Sequence, residues 1–109
     1  MTPNRWMLIK ILPKEGEPFY KVFATWSGSY LNGDSWRLNS GIDRVEANHD
    51  YYDVIGASGS VYSLNEECYG VAGATNYAVL KSLQDKAGEA LRPLAEDEAI
   101  KVLKELSKT

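Results

Sequence analysis

The sequence has very few of the residues on which disulfides, metal sites and cysteine chemistry depend. Its 109 residues include a single cysteine, Cys68, and a single histidine, His49. One cysteine allows neither an intrachain disulfide nor a cysteine-based metal cluster. No local spacing or glycine-rich turn indicates that Cys68 and His49 meet as a nucleophile and its base. We therefore expect a protein that holds no metal or cofactor and is not an enzyme.

Long apolar runs are also missing. The only continuous apolar run near the N-terminus, Trp6 to Leu12, is short and contains Lys10, which is typical neither of a membrane-spanning helix nor of a signal peptide. Apolar residues make up 44% of the chain and charged residues 25%, as in ordinary globular proteins. We expect one cytoplasmic domain over residues 1–109, without membrane contact.

The stretch from Asp34 to Leu64 has the densest alternation of apolar and polar residues, which predicts adjacent antiparallel strands. A three-residue loop over residues 57–59, with Gly59 in the left-handed conformation, places Val54 opposite Tyr62. This register separates an apolar face from a mostly polar face. A shift of one residue would mix the two faces, so this register is the one we predict.

Three further strands are predicted from the same kind of pattern, at Arg5 to Leu12, Phe19 to Trp26 and Trp36 to Val45. The third strand changes the parity of its apolar positions, and a bulge at Ser40 and Gly41 accounts for that change. Residues 1–67 are therefore expected to form a five-stranded antiparallel meander. Closure of this sheet toward an SH3-like small barrel is left open.

Residues 72–109 change to a helical period, which makes the expected fold α+β. Thr75 is a candidate N-cap for a first helix, and Pro93 prevents that helix from continuing far past Leu91. The apolar residues of this helix recur at three- and four-residue spacing: Leu80, Leu83, Ala87 and Leu91.

A second helix is predicted from about Glu96, with acidic residues in its first turn and lysines in its last turn. Its apolar stripe consists of Ala99, Val102, Leu103 and Leu106. We expect both helices to bury their apolar faces on the sheet. A homodimer through the C-terminal helix is the competing way to cover that stripe.

The segment from Trp26 to Trp36 is the predicted functional surface. Asn32 and Gly33 are the pair most favoured in a type I′ hairpin turn, and Gly28 suits a bulge. Aromatic side chains beside short polar ones are typical of surfaces that bind proteins, although both tryptophans also suit a core. The predicted partner-binding residues are Trp26, Tyr30, Asn32, Asp34 and Trp36.

Charge is distributed unevenly along the chain, whose net charge is −3. Residues 34–67 contain seven acidic and two basic residues, and this excess disfavours non-specific binding to nucleic acid. A nucleic-acid-binding small barrel that uses the N-terminal hairpin is the alternative function. Its surface would consist of Arg5, Lys10, Lys14 and Lys21.

No motif in the chain identifies a family. In its short, acidic, aromatic-rich and turn-rich composition the chain resembles accessory proteins carried by phages and plasmids, some of which inhibit host enzymes. This resemblance of type implies a non-enzymatic module that binds another protein, with an acidic face. We take protein–protein interaction as the expected function.

Overall fold

A computed structural model describes residues 1–29 and 33–108 of the chain. The elements within these residues follow one another in the order β1 (Arg5–Ile11), β2 (Phe19–Ser29), β3 (Gly33–Leu38), β4 (Ile42–Asn48), β5 (Tyr51–Gly56), β6 (Val61–Asn65), α1 (Ala74–Ala87), β7 (Leu91–Pro93) and α2 (Glu96–Leu106). The fold is therefore α+β, with two C-terminal helices as expected from the sequence.

The strands divide between two antiparallel sheets. Sheet A has the order β3-β2-β1-β7, and sheet B has the order β4-β5-β6. The predicted five-stranded meander is not confirmed, and the strands described do not form a closed SH3-like barrel. The predicted third strand, Trp36 to Val45, is two strands that belong to different sheets.

Asn39 lies where the chain passes from sheet A to sheet B. Its side chain is 5% exposed. Its Oδ1 accepts a hydrogen bond from Val22 N at 2.8 Å, and its Nδ2 donates to Gly41 O at 3.2 Å. Gly41 has a φ of 136°, a value that favours glycine. The parity change that predicted a bulge at Ser40 and Gly41 is therefore a transfer between sheets.

The hairpin of β5 and β6 has the predicted register. Val54 pairs with Tyr62, and Tyr52 pairs with Leu64. Gly56 N donates to Ser60 O at 2.7 Å, and Gly59 has a φ of 92°. The three-residue loop with a left-handed glycine is thus confirmed.

The hairpin of β2 and β3 contains the predicted bulge. The register shifts between Trp26 and Ser29, and Gly28 lies in this interval with a φ of 75°. Gly33 pairs with Ser29 as the first residue of β3. The prediction that Gly33 is a central residue of the turn is therefore wrong.

The larger core lies between the inner face of sheet A, the inner face of sheet B and α2. It contains the apolar stripe of α2, in which Ala99 and Leu103 are fully buried. The apolar stripe of α2 therefore packs within the chain. The other buried members come from both sheets and from the segment before α2: Trp6, Leu8, Val22, Ala24, Val45, Tyr52, Val54, Tyr62, Leu64 and Leu94.

A second core lies between the outer face of sheet A and α1, where Leu80 packs with Phe23 and Ile9. Helix α1 begins after Gly73, so the prediction of Thr75 as N-cap is wrong. It ends at Ala87, before Gly88 with a φ of 60°.

Leu91 is not part of α1, contrary to the prediction. It lies in β7 and pairs with Ile11 of β1. Its side chain is nevertheless buried in the second core, because β7 returns the chain to the sheet that α1 covers. Among the helices described, none has the length and apolar character needed to cross a membrane.

Tyr69 joins the segment after β6 to both β1 and the approach to α2. Its Oη donates a hydrogen bond to Leu94 O at 2.7 Å and accepts one from Leu8 N at 3.2 Å. Its ring meets the Trp6 ring edge to face, with 4.8 Å between the ring centroids. One hydroxyl therefore satisfies backbone groups of two separate segments.

The pKa of Tyr69 is raised to about 12, chiefly because burial penalises the phenolate. The hydrogen bond with the Leu8 backbone lowers this pKa, and the nearby charges of Glu96 and Glu98 raise it. The ordinary tyrosine value is about 10. Since the folded chain holds this proton more tightly than the unfolded chain, its stabilisation is complete below pH 10. It is lost as the pH rises from about 10 to about 12.

We predict that Tyr69→Phe flattens this pH dependence. Between pH 10 and pH 12 the unfolding free energy of the unsubstituted protein should fall by up to about 2–3 kcal/mol more than that of the variant. Tyr52, whose pKa burial and Glu66 also raise, is common to both proteins and cancels in the comparison. Urea titrations at each pH measure the difference, and parallel curves would contradict the prediction.

Candidate functional site

Strand β3 forms one end of sheet A and pairs only with β2 among the strands described. Asn39 N donates to Val22 O, which fixes the phase of the hydrogen bonds between the two strands. Residues 35 and 37 therefore direct their backbone groups toward β2. The N–H and C=O groups of Asp34, Trp36 and Leu38 point to the outer edge. An edge of this kind can pair with another extended chain.

Trp36 lies in the middle of this edge strand. It is paired with Thr25 of β2, and its ring packs on the Phe23 ring with 5.7 Å between centroids. The side chain nevertheless remains 40% exposed. A large aromatic side chain thus packs on the Phe23 ring and is partly presented to solvent, beside backbone groups that pair with none of the strands described.

Trp36 pairs with Thr25, and Trp26 is the next residue along β2. Because neighbouring residues of a strand point to opposite faces, Trp26 lies on the other face of sheet A. Its ring packs against the larger core, and its Nε1 donates to Thr2 O at 3.1 Å. The expectation that both tryptophans suit a core therefore fits Trp26 better than Trp36.

Both tryptophans line one open groove that runs around β3, which we call the β3 groove. It has a volume of about 530 Å³, within the range of sites that accommodate ligand groups. Its lining residues come from the N-terminal segment, β2 and β3: Met1, Thr2, Trp26, Ser35, Trp36 and Arg37.

Asp34 does not line the β3 groove. Its carboxylate lies against Gly73, where a Cβ atom would clash with Asp34 Oδ2. Gly73 has a φ of 85° and precedes the first residue of α1. Asp34 therefore packs against the start of α1. Two other predicted partner-binding residues, Tyr30 and Asn32, lie outside the described residues.

The structure does not gather the four cations of the alternative surface on one face. Arg5 pairs with Thr25, and its Nη1 donates to Tyr69 O. Lys10 pairs with Tyr20 whereas Ile9 pairs with Lys21, so Lys10 and Lys21 project on opposite faces of the hairpin. Lys14 lies in the loop between β1 and β2. No continuous basic stripe results.

Cys68 and His49, the two residues considered for catalysis, lie in a core and in a turn. Cys68 is half-buried and packs against the larger core. His49 is exposed in the turn between β4 and β5, with a φ of 37°. Among the described residues, no cluster of three or more His, Cys, Asp or Glu side chains is arranged to hold a metal ion.

Asn76 is the residue near the site that the sequence reasoning missed. It is 1% exposed, and its Nδ2 donates to Trp26 O, Ser35 O and Ala72 O at 2.8–3.0 Å. Its Oδ1 has no hydrogen-bond partner within the described part of the chain. The available signal was its spacing, because Asn76 is in phase with Leu80 on the buried face of α1.

We predict that Asn76→Ala lowers the unfolding free energy by about 2–3 kcal/mol, because it removes the buried amide that donates to the carbonyls of Trp26, Ser35 and Ala72. Asn76→Asp should cost more, since a carboxylate would face the same carbonyls. The neighbouring Tyr77→Ala is the control: Tyr77 is exposed and should change stability by less than about 0.5 kcal/mol. Equal midpoints in urea for Asn76→Ala and Tyr77→Ala would contradict this role.

Comparisons of the chain with protein-family models, curated proteins and solved structures give no match.

Proposed function

We propose that the protein is a non-enzymatic binding module that takes up an extended segment of another protein along the outer edge of β3. The observation that carries this proposal is the combination of unpaired backbone groups with Trp36, a tryptophan that is 40% exposed at the centre of the edge. Strand addition of this kind gains affinity from backbone hydrogen bonds and specificity from side-chain contacts.

The composition of the edge supports this proposal. Tryptophan and arginine are enriched among the residues that dominate the energy of protein interfaces, and Trp36 and Arg37 are adjacent in the β3 groove. The groove also provides the indole of Trp26, whose position is fixed by its bond to Thr2 O. The partner segment would thus meet an aromatic surface that is already ordered, which lowers the entropic cost of binding.

The acidic charge of sheet B fits a partner with a basic surface. Glu46 and Asp53 are paired across β4 and β5, so both carboxylates lie on the outer face of sheet B. Arg44 offsets part of this charge through its contact with Glu46 at 3.4 Å. Complementary charge mainly speeds association and selects the partner. An accessory protein that inhibits a host enzyme would have these properties. The nucleic-acid alternative gains no comparable support, since its four cations are dispersed.

We predict that Trp36→Ala weakens capture of the partner at least about 30-fold, the loss expected for a central interface tryptophan. Quantitative affinity capture with mass spectrometry compares this variant with Tyr77→Ala, which removes an exposed aromatic side chain elsewhere. A partner that is lost with Trp36→Ala and retained with Tyr77→Ala is the expected result. Thermal melting of both variants confirms that they remain folded.

A second pair of variants separates the side chain from the backbone. Trp36→Pro also removes the indole, but in addition it removes the outward N–H of residue 36. Proline is tolerated on a sheet edge when its nitrogen faces solvent. Weaker binding by Trp36→Pro than by Trp36→Ala supports strand addition. Unchanged capture of every partner by both variants would contradict the proposed function.

A further inference from the structure

A second concavity lies beside the passage from sheet A to sheet B. We call it the crossover recess; it has a volume of about 430 Å³. Its polar lining comes from β2, β3, the crossover and the β5–β6 hairpin: Lys21, Arg37, Ser40, Ser58, Ser60 and Tyr62. Two cationic and four hydroxyl-bearing residues therefore line the recess, with Lys21 and Arg37 on opposite faces of sheet A.

The walls of the crossover recess are fixed by hydrogen bonds. Asn39 bonds to Val22 N and Gly41 O, which holds the crossover against β2. Ala57 N donates to Gly41 O at 3.0 Å, and Ser58 N donates to Ser40 Oγ at 3.2 Å. The tip of the β5–β6 hairpin is therefore fastened to the crossover. A site with such walls loses little entropy when a ligand enters.

The donors of the crossover recess are not used by other groups of the protein. Within residues 1–29 and 33–108, neither Lys21 nor Arg37 forms a salt bridge. Lys21 Nζ lies 5.9 Å from the centroid of the Phe19 ring, and this contact leaves its hydrogen-bond donors available. Tyr62 is 3% exposed, yet its hydroxyl is neither bonded to the described chain nor enclosed away from solvent.

The charge of the crossover recess is opposite to that of the chain. The residues described as lining it include two cations and no carboxylate, whereas the whole chain has a net charge of −3. A guanidinium, an ammonium and several hydroxyls form the donor set that suits a phosphate group, whose oxygens accept several hydrogen bonds at once. The recess volume exceeds what inorganic phosphate alone would fill, and it lies within the range of small-molecule sites.

We propose that the crossover recess binds a small phosphate monoester. Arg37 contacts the phosphoryl oxygens together with the hydroxyls of Ser60 and Tyr62, and Lys21 approaches from the opposite face of sheet A. The site shares Arg37 with the β3 groove, but it does not use the outer backbone groups of β3.

Titration of the ¹⁵N-labelled full chain with glucose 6-phosphate, inorganic phosphate and glucose tests this proposal, with sodium chloride used to keep the ionic strength constant. We expect saturable shifts of the Lys21, Arg37, Ser40, Ser58 and Ser60 amides with both phosphates, and tighter binding of the ester. Glucose should cause no shift. No saturable shift up to 20 mM phosphate or ester, on the order of the weakest specific sites, would overturn the proposal.

Variants identify the residues responsible. Arg37→Gln should weaken binding of glucose 6-phosphate at least about 10-fold, the loss of one charge-assisted contact, and Lys21→Gln should weaken it less. Tyr62→Phe keeps the packed ring and should weaken it about 3-fold. Arg44→Gln is the matched control, since Arg44 contacts Glu46 on the outer face of sheet B, and its affinity should not change. Equal affinity of Arg37→Gln and Arg44→Gln would overturn the assignment.

Discussion

The buried amide of Asn39 is the interaction on which the arrangement of the two sheets depends. Val22 lies in the middle of β2 and is fully buried, so its N–H needs a partner where β3 ends. Asn39 Oδ1 supplies that partner, while Asn39 Nδ2 binds Gly41 O beyond the turn. One side chain thus completes the ladder of sheet A, redirects the chain into sheet B and pairs both the Val22 N–H and the Gly41 carbonyl.

Two surfaces follow from this crossover. Because the chain leaves sheet A after Leu38, β3 remains the end strand, and no strand described pairs with its outer backbone groups. Because the chain then enters sheet B, the β5–β6 hairpin tip is held beside the end of β3 and the crossover recess forms between them. The proposed strand addition uses the first surface and the proposed phosphate monoester uses the second.

The sequence predicted the elements whose cause is local. The β5–β6 hairpin was found with its register because the left-handed Gly59 and the separation of faces both depend on nearby residues. The division into two sheets was missed because Asn39 bonds to Val22, 17 residues away, and a bulge produces the same change of parity. Leu91 fitted the helical spacing, and its burial is the same whether it lies in α1 or in β7. Only Gly88 could therefore have indicated that α1 ends earlier.

The candidate site was predictable to a similar extent. Trp26 and Trp36 were identified from the turn chemistry between them, but their separation onto opposite faces depends on the register of the β2–β3 pair. The grouping of Lys21 with Ser60 and Tyr62 depends on contacts between the two sheets, which no local pattern contains.

Hydrogen exchange of the backbone amides, followed by NMR, compares the Asn39 crossover with the open edge of β3 in one experiment. We expect a strongly protected Val22 amide and a Trp36 amide that exchanges at least about 100-fold faster. A protected Trp36 amide or a rapidly exchanging Val22 amide would show that this arrangement of the two sheets is wrong.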